Sequence, residues 1–262
     1  MTMLGQIQKG KRRAPPRILL YGVEGIGKST FGAQMPKPIF VQCEDGLDEI
    51  DCDKFPLATS YEHATTALND LRTQPHDYET AVLDSADWLE RLIWDKLCVQ
   101  HGVNSIEKVD GGYSKGYIHA LTYWREIIDH LNALRNSRGM AIVLIAHSKV
   151  ERFEDPESSP YDRYSPRLNK HAAALVSEWC DAVLFATRKI RTQSEDAGFN
   201  RKRTTAHALG KDGGERVLRC VGGPSCVAKN RYGINQELPL SWAAFVEALS
   251  NNQNTEGANQ NG

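Results

Sequence analysis

Short apolar runs alternate with amphipathic stretches along most of this 262-residue chain. Each run is short, rich in leucine or β-branched residues and bounded by turns or polar residues, which is typical of a buried strand. Strands that alternate with amphipathic helices indicate βαβ crossovers, so we predict an α/β fold with a mostly parallel sheet flanked by helices. The predicted strands are residues 17–21, 38–43, 80–83, 140–146 and 181–187, and the predicted helices are residues 28–34, 61–72, 86–100 and 117–136.

The pattern changes after the last of these strands. Residues 204–209 and 215–221 are joined by a glycine-rich turn, which predicts a C-terminal antiparallel hairpin added to the sheet. Residues 241–249 predict a final helix with Ser241 as its N-cap. We therefore predict one α/β core over residues 17–249.

Composition predicts a terminal segment on each side of the core and excludes several classes of protein. A quarter of the residues are charged and the formal net charge is −1, which excludes wholesale disorder and a uniformly basic surface. We predict a flexible basic arm at residues 1–16 and a disordered polar tail at residues 250–262. No apolar run approaches the roughly 20 residues that span a bilayer, and no secretory signal is recognisable, so we expect a cytoplasmic protein without a membrane partner.

One motif carries most of the chemical information. The segment GVEGIGKS follows the first predicted strand, opens the first predicted helix and satisfies the pattern GxxxxGK[ST]. In this pattern glycines let backbone N–H groups turn inward around phosphates, the lysine reaches the β- and γ-phosphates, and the serine hydroxyl ligates Mg²⁺. We therefore predict ATP and Mg²⁺ as ligands. The predicted nucleotide-binding residues are Gly22, Val23, Glu24, Gly25, Ile26, Gly27, Lys28, Ser29 and Thr30.

Two acids follow strands at the edge where this loop is expected to lie. Asp84 ends the third predicted strand, where an acid holds the shell of Mg²⁺, so Ser29 and Asp84 are the predicted metal residues. Glu44 follows the second predicted strand, and the carboxyl ends of parallel strands form the ligand crevice. We predict that Glu44 activates the attacking water. The alternative is that Glu44 belongs to a solvated acidic loop with its neighbours.

A basic turn near the C-terminus is a further candidate. Lys229 and Arg231 lie two residues apart in the segment AKNRYG. Their two positive charges are then held at a fixed distance from each other, and both can reach one polyphosphate. The alternative is a basic surface turn.

Several of these segments resemble those of RecA-type ATPases. FVQCEDGLD resembles their strand-then-glutamate segment, whose glutamate is the catalytic base, and His147 stands where they carry a polar γ-phosphate sensor. AKNRYG is similar to the KxR motif of RadA and of DnaB-type helicases, which implies that Lys229 and Arg231 enter the site of a neighbouring subunit. The resemblance thus makes Glu44, Lys28, His147, Lys229 and Arg231 the catalytic set. A strand-end histidine bonded to local backbone is the alternative for His147.

Together the motifs resemble phage-encoded RecA-like ATPases of the single-strand-annealing type, within a broader family of phage nucleotide-binding proteins. The resemblance implies a RecA-like P-loop core over residues 17–249, DNA-stimulated ATP hydrolysis, and a ring or filament with nucleotide at subunit interfaces. It also implies single-stranded DNA, and a single-strand-binding protein, as partners in annealing or recombination. The alternatives are a helicase-like motor or helicase loader, a P-loop kinase of a small acceptor, and a nucleotide-gated scaffold that hardly turns over.

Two segments combine aromatic and basic side chains as single-stranded DNA sites do. One is the glycine-flanked segment 111–117, and the other is residues 148–170, which we predict to form a long loop. RecA-type proteins use the corresponding loops to contact DNA, although both could be solvated loops here. The candidate DNA-binding residues are Tyr113, Lys115, Tyr161, Arg163, Tyr164, Arg167 and Lys170.

Overall fold

The computed structural model of the chain describes residues 3–7, 10, 14–157, 159–196, 202–208 and 214–258. The strands are β1 Arg17–Gly22, β2 Pro38–Gln42, β3 Asp53–Lys54, β4 Thr80–Asp84, β5 Ala141–Phe153, β6 Tyr161–Pro166, β7 Ala182–Arg188, β8 Ile190–Asp196, β9 Lys202–Ala208, β10 Arg216–Arg219, β11 Lys229–Asn230 and β12 Glu237–Pro239. The helices are α1 Lys28–Ala33, α2 Tyr61–Thr73, α3 Ala86–His101, α4 Lys115–Ser137, α5 Lys170–Trp179 and α6 Trp242–Ala258, with short 3-10 helices at Met3–Gln6 and Ile106–Gly111.

One large sheet organises the chain, with the strand order β12-β10-β7-β1-β5-β4-β2-β3. The strands from β7 to β3 along this order run parallel, and β10 and β12 are antiparallel additions beside β7. The predicted α/β fold with a mostly parallel sheet is therefore confirmed. Because β1 lies between β5 and β7, the segment that follows β1 lies in the middle of the carboxyl edge of the sheet.

Both faces of the sheet are buried, as the apolar runs predict. On β1 the side chains alternate: Leu19 and Tyr21 pack in the cluster with α2, α3, α4 and α5, whereas Ile18 and Leu20 pack with α1 and α6. All four are fully buried. Burial on both faces fixes the register of β1, since a shift by one residue would exchange its two sets of side chains.

The C-terminal antiparallel hairpin is present, but its strands pair differently from the prediction. β9 pairs with β8 in a separate two-stranded sheet, whereas β10 pairs with β7 and β12 in the main sheet. The apolar Val217 and Leu218 of β10 are buried there. The predicted turn comprises residues 210–214, of which 210–213 lie outside the described residues. The polar sequence of β8 gave no strand signal, so its pairing with β9 was not predicted.

The prediction of a long loop over residues 148–170 is wrong. β5 continues past the carboxyl edge to Phe153 and forms an antiparallel hairpin with β6, and α5 begins at Lys170. Both strands carry many polar side chains, so the hydrophobic pattern does not predict this hairpin. Glu151 and Arg163 are directly opposite each other in it and form an ion pair. The start of α5 is capped by Asn169, whose side chain accepts from the backbone N–H of His171 at 3.1 Å.

The ends of the core also differ from the prediction. α6 continues past residue 249 to Ala258, so residues 250–258 of the predicted disordered tail are helical, and residues 259–262 lie outside the described residues. The side-chain N–H of Asn252 donates a hydrogen bond to the carbonyl oxygen of Tyr232 at 3.4 Å, which connects this part of α6 to the segment after β11. Residues 1, 2, 8, 9 and 11–13 of the predicted arm also lie outside the described residues. The carbonyl of Pro15 accepts from the Arg135 guanidinium at 2.6 Å. Among the residues that the structure describes, none of the helices combines the length and apolar character of a membrane span.

Candidate nucleotide site

The glycine-rich segment after β1 forms a tight loop that leads into α1. Gly22 ends β1, and a Cβ there would lie 2.4 Å from the carbonyl oxygen of Ala186 in β7, so only glycine fits between the strands. Gly25 and Gly27 have φ angles of 66° and 108°, which other residues rarely adopt. The loop therefore depends on its glycines both for the close approach of β7 and for its turns.

Lys28 lies inside this loop and is 7% exposed. Its ammonium donates to the carbonyl oxygens of Gly22 and Val23 at 3.2 and 3.0 Å. Burial lowers the pKa of Lys28, against the opposing attraction of nearby carboxylates, of which Asp84 is the strongest. A partly desolvated cation at the centre of a loop of backbone N–H groups is suited to binding a phosphate chain.

The two predicted metal residues are in direct contact. The Ser29 hydroxyl donates to Asp84 Oδ2 at 2.6 Å. Burial raises the pKa of Asp84, and the neighbouring carboxylate of Glu44 raises it further, while the Ser29 hydrogen bond opposes both. An oxygen-only pair of this kind fits Mg²⁺, which prefers one or two protein oxygens besides substrate phosphates and water. Asp84 is also joined to the next residue, Ser85, by a cis peptide bond.

Glu44 faces the same space, and its acidic neighbours do not. Its carboxylate accepts from the Ser85 hydroxyl at 2.8 Å and lines the cavity above the phosphate loop. Asp45, Asp48 and Glu49 are exposed, and Asp48 pairs with Lys54. The structure therefore separates Glu44 from the acidic segment that follows it.

His147 lies beside Glu44 and is held by Asp87. The backbone N–H of His147 donates to Asp87 Oδ1 at 3.0 Å, and the ring Nδ1 lies 3.1 Å from Asp87 Oδ2 and 3.7 Å from Glu44 Oε2. Burial acts to raise the pKa of Asp87, but hydrogen bonds from His147 and Arg167 hold it well below its usual value. Sequence reasoning gave Asp87 no part in the site, because an acid in the first turn of a helix is common there.

Arg167, a predicted DNA-binding residue, lies at the nucleotide site instead of on an open loop. Its guanidinium donates to Asp87 Oδ2 at 2.7 and 3.0 Å, and it lies 3.8 Å from Glu24 of the phosphate loop. Its backbone N–H donates to the carbonyl of His147 at 2.8 Å. Arg167 therefore joins the end of β6 to the edge of the candidate site.

One cavity of about 410 Å³ is lined by Lys28, Ser29, Glu44, Asp84 and His147. The cavity is also lined by Arg216 of β10, a residue that the sequence did not single out because a lone arginine in a short strand carries no motif. The Nη1 atom of Arg216 lies 3.1 Å from where a Cβ on Gly27 would be. Apolar side chains of Leu47 and Ile50 complete part of the wall.

The predicted pair Lys229 and Arg231 lies at the other end of the sheet. Lys229 pairs with Val183 and Asn230 with Ala182, near the start of β7, whereas the phosphate loop begins beside Ala186. Four strand residues span about 13 Å, so neither side chain belongs to the cavity of its own chain. Arg231 instead lies 3.3 Å from Asp181 and donates to the carbonyl of Glu178.

The remaining DNA candidates occupy two places. Tyr113 is 96% exposed on the segment between the second 3-10 helix and α4, where Lys115 pairs with Asp110. On the β5–β6 hairpin, Arg163 pairs with Glu151 and lies over the ring of Phe153, with its guanidinium carbon 3.9 Å from the ring centre.

Two aromatic candidates on β6 also have partners. Tyr161 contacts Phe153, with ring centres 5.5 Å apart, and Tyr164 stacks on the buried Phe185 at 5.0 Å. Lys170 is exposed at the start of α5. The structure thus brings Tyr161, Arg163 and Tyr164 onto one hairpin and leaves Tyr113 on a separate segment.

Comparison with known proteins identifies a family and a curated relative. The family model described as "AAA domain" matches residues 14–232, which is most of the chain. A curated relative, the SPbeta prophage-derived uncharacterized protein YorG of Bacillus subtilis (strain 168), is 24% identical over 172 residues, which cover 64% of this chain and 49% of the relative. The chain therefore spans about half the length of that relative.

Proposed function

This chain belongs to the AAA domain family and carries an AAA-type ATPase domain, and from that premise we propose that it hydrolyses ATP as an oligomer bound to single-stranded DNA. In this proposal it promotes annealing or recombination of DNA in a phage, as RecA-like annealing proteins do. The match to a prophage-derived protein supports the phage context. The observation that carries the ATPase proposal is the carboxylate of Glu44 beside the phosphate loop, within reach of Ser85 and His147.

In the proposed hydrolysis, the residues that line the cavity have different roles. Lys28 and the loop hold the phosphate chain, and Glu44 orients a water molecule and accepts its proton. The water oxygen forms a bond to the γ-phosphorus while the bond from phosphorus to the β–γ bridging oxygen breaks, leaving ADP and phosphate. Ser29 and Asp84 are the residues that would hold Mg²⁺, and the ion would supply positive charge to the phosphate oxygens.

His147 has a supporting role in this proposal. Asp87 contacts both its backbone N–H and its ring, which fixes the imidazole beside Glu44. A histidine held in this way can contact the γ-phosphate and change its contacts when that phosphate leaves. Since Arg167 bonds to the same carboxylate, the change has a direct path to the β5–β6 hairpin.

The ATPase proposal is tested by comparing Glu44→Gln with Asp48→Asn. Both substitutions remove one carboxylate from the same segment, but only Glu44 lines the cavity. We expect Glu44→Gln to retain ATP binding and to lower phosphate release at least 100-fold, because general-base catalysis contributes about 10²–10⁴-fold. Asp48→Asn should hydrolyse ATP like the wild type. Equal rates for the two variants would contradict the role of Glu44.

The DNA proposal rests on exposed aromatic and basic side chains at the two candidate segments. Tyr113 offers a free ring for stacking, and Lys170 and the β5–β6 hairpin supply cations and further rings. Stacking on an aromatic ring contributes about 1–3 kcal/mol per base, and contacts to phosphates make binding depend on salt.

Fluorescence anisotropy of a labelled oligonucleotide tests this part. With Mg²⁺ and ATP present, we expect binding that weakens as salt rises, and Tyr113→Ala should reduce affinity about tenfold. Val99→Ala, which truncates another highly exposed side chain, serves as the control. Absence of binding at low salt would exclude single-stranded DNA as the partner.

A further inference from the structure

Arg216 approaches the phosphate loop from the side opposite to Glu44. β1 lies between β5 and β7 in the sheet. Glu44 follows β2, Asp84 ends β4 and His147 lies within β5, all on one side of β1, whereas Arg216 begins β10 on the other side. The cavity is continuous between them, since Glu44 and Arg216 both line it.

The position of Arg216 is set by its surroundings. Its backbone pairs with Arg188 of β7, and its carbonyl oxygen accepts from the N–H of Leu240 at 3.1 Å. The guanidinium lies over Gly27, where any side chain would crowd Nη1 at 3.1 Å. The absence of a side chain at Gly27 thus leaves room for this arginine as well as for the turn of the loop.

The guanidinium of Arg216 has no ionic partner within the part of the chain that the structure describes. The other arginine of β10, Arg219, differs, because it pairs with Glu237 and donates to the Ser225 hydroxyl at 2.9 Å. A planar guanidinium with free N–H donors matches the geometry of phosphate oxygens. The unpaired cation therefore lies in the one place on β10 where a bound phosphate chain would meet it.

We propose that Arg216 is a nucleotide-binding residue that contacts the phosphate chain from the β10 side, across from Glu44. The inference rests on the proposed function, since it takes the cavity to be the nucleotide site. The phosphate chain then lies between two cations, Lys28 inside the loop and Arg216 above Gly27. Because Arg216 lies away from Glu44 and His147, it contributes to binding of ADP as well as ATP. The C-terminal antiparallel part of the sheet is thus part of the site.

Titration with ADP and with inorganic tripolyphosphate tests this assignment, using Arg216→Ala, Arg216→Lys and the matched control Arg219→Ala. We expect Arg216→Ala to weaken both ligands about tenfold or more, which is the size expected for a charge-assisted hydrogen bond. Arg216→Lys should recover part of this loss, and Arg219→Ala should bind like the wild type. Thermal unfolding of each variant establishes that it is folded.

Two results would overturn the assignment. One is equal affinity of Arg216→Ala and Arg219→Ala for ADP. The other is weaker ADP binding with unchanged tripolyphosphate binding, which would indicate contact with the base or ribose rather than with phosphates. Lys28→Ala in the same titration separates this inference from the proposed function. If Lys28→Ala binds ADP as the wild type does, the assignment of the nucleotide site itself is wrong. If Lys28→Ala binds ADP more weakly and Arg216→Ala binds it like the wild type, only the role of Arg216 is contradicted.

Discussion

Glu90 is a buried carboxyl on α3, one helical turn beyond Asp87, that ATP hydrolysis does not use. It is 3% exposed, and its Oε2 accepts from the backbone N–H of Asn169 at 2.9 Å. Its Oε1 has no hydrogen-bond partner among the described residues. Burial raises the pKa of Glu90 from 4.5 to about 7, against the lowering effects of Asn169, Trp124 and Lys149, and the charge of Asp87 makes a smaller raising contribution.

This raised pKa predicts a loss of stability with rising pH. The folded state binds the proton of Glu90 more tightly than the unfolded state does, so the free energy of unfolding decreases as pH rises from about 4.5 to about 7. The free energy of unfolding decreases by about 1.4 kcal/mol for each pH unit over which the folded state binds one proton more than the unfolded state. Glu90→Gln cannot ionise and keeps an acceptor for Asn169. We expect its melting temperature relative to the wild type to be higher at pH 8 than at pH 5.

The control for this prediction is Glu49→Gln, which removes an exposed acid instead of a buried one. Its melting temperature should follow that of the wild type at both pH values. A constant difference between Glu90→Gln and the wild type from pH 5 to pH 8 would mean that Glu90 is not protonated in the folded protein.

At the residue scale, sequence could predict those site residues that stand in a motif or directly after a strand. Lys28 and Ser29 follow from the loop pattern, and Asp84 and Glu44 from the ends of two apolar strands. Arg216 could not be predicted, because its place above Gly27 depends on a strand pairing between distant parts of the chain.

At the element scale, the β5–β6 hairpin is attached to the nucleotide site at its base. Arg167 follows β6 directly, and its guanidinium bonds to Asp87, the residue that also holds His147. A second tie is the hydrogen bond from Lys149 to the carbonyl of Leu168 at 2.8 Å. A change in the contacts of His147 therefore has a short physical path to the hairpin.

This attachment predicts that Arg167→Ala uncouples DNA binding from the nucleotide state. In the wild type we expect the affinity for single-stranded DNA to differ between ATP and ADP by a factor of the order of ten, the usual size of such coupling. Arg167→Ala should bring this ratio close to one, since the variant loses the ion pair with Asp87. The measurement is oligonucleotide anisotropy with each nucleotide in turn.

Arg163→Ala is the matched control, because Arg163 lies on β6, the strand that Arg167 follows, but pairs with Glu151. It should weaken DNA binding by the same factor in both nucleotide states and leave the ratio unchanged. An unchanged ratio in Arg167→Ala, together with folded protein, would contradict the path through Asp87.

The parallel strands β1, β2, β4, β5 and β7 and the helices α1 to α4 could be predicted because each buries an apolar run or an apolar stripe, whereas the two-residue strand β3 has no apolar run and was not predicted. β6 and β8 could not, since their sequences YDRYSP and IRTQSED consist mostly of polar residues. Their pairing depends on cross-strand contacts such as Glu151 with Arg163, which a hydrophobic pattern does not contain. α5 was missed because it follows the misassigned loop directly and spans only Lys170–Trp179.

At the scale of the whole molecule, a cluster of arginines lies at the end of the sheet away from the phosphate loop. Arg17, Arg135 and Arg231 all contact Asp181 at the amino end of the parallel strands. Burial would raise the pKa of Asp181, but the hydrogen bonds and charge of Arg17 hold it below its usual value. Since Glu44 and the phosphate loop lie at the carboxyl end, head-to-tail contact between subunits would bring Arg231 near the nucleotide site of a neighbour.

Mixing two inactive variants tests this contact. Glu44→Gln subunits lack the base but carry Arg231, and Arg231→Ala subunits lack the cation but carry Glu44. If Arg231 acts on a neighbour, a mixed assembly contains some interfaces with both groups intact. We expect phosphate release in the mixture to exceed the sum of the separate rates and to peak at intermediate ratios.

The control for mixing is the double variant Glu44→Gln with Arg231→Ala, combined with Glu44→Gln. No interface in that mixture contains an intact Glu44, so no activity should return. Absence of rescue at every ratio of the two single variants, each shown to be folded and assembled, would contradict action between subunits.

The central claim is that the cavity above the phosphate loop hydrolyses ATP. The most direct measurement is phosphate release from Mg²⁺ and ATP by the wild type and by Lys28→Ala, each with and without single-stranded DNA. We predict turnover by the wild type that rises with DNA and with protein concentration, and only background release by Lys28→Ala. Wild-type release that never exceeds that of Lys28→Ala under these conditions would contradict the claim.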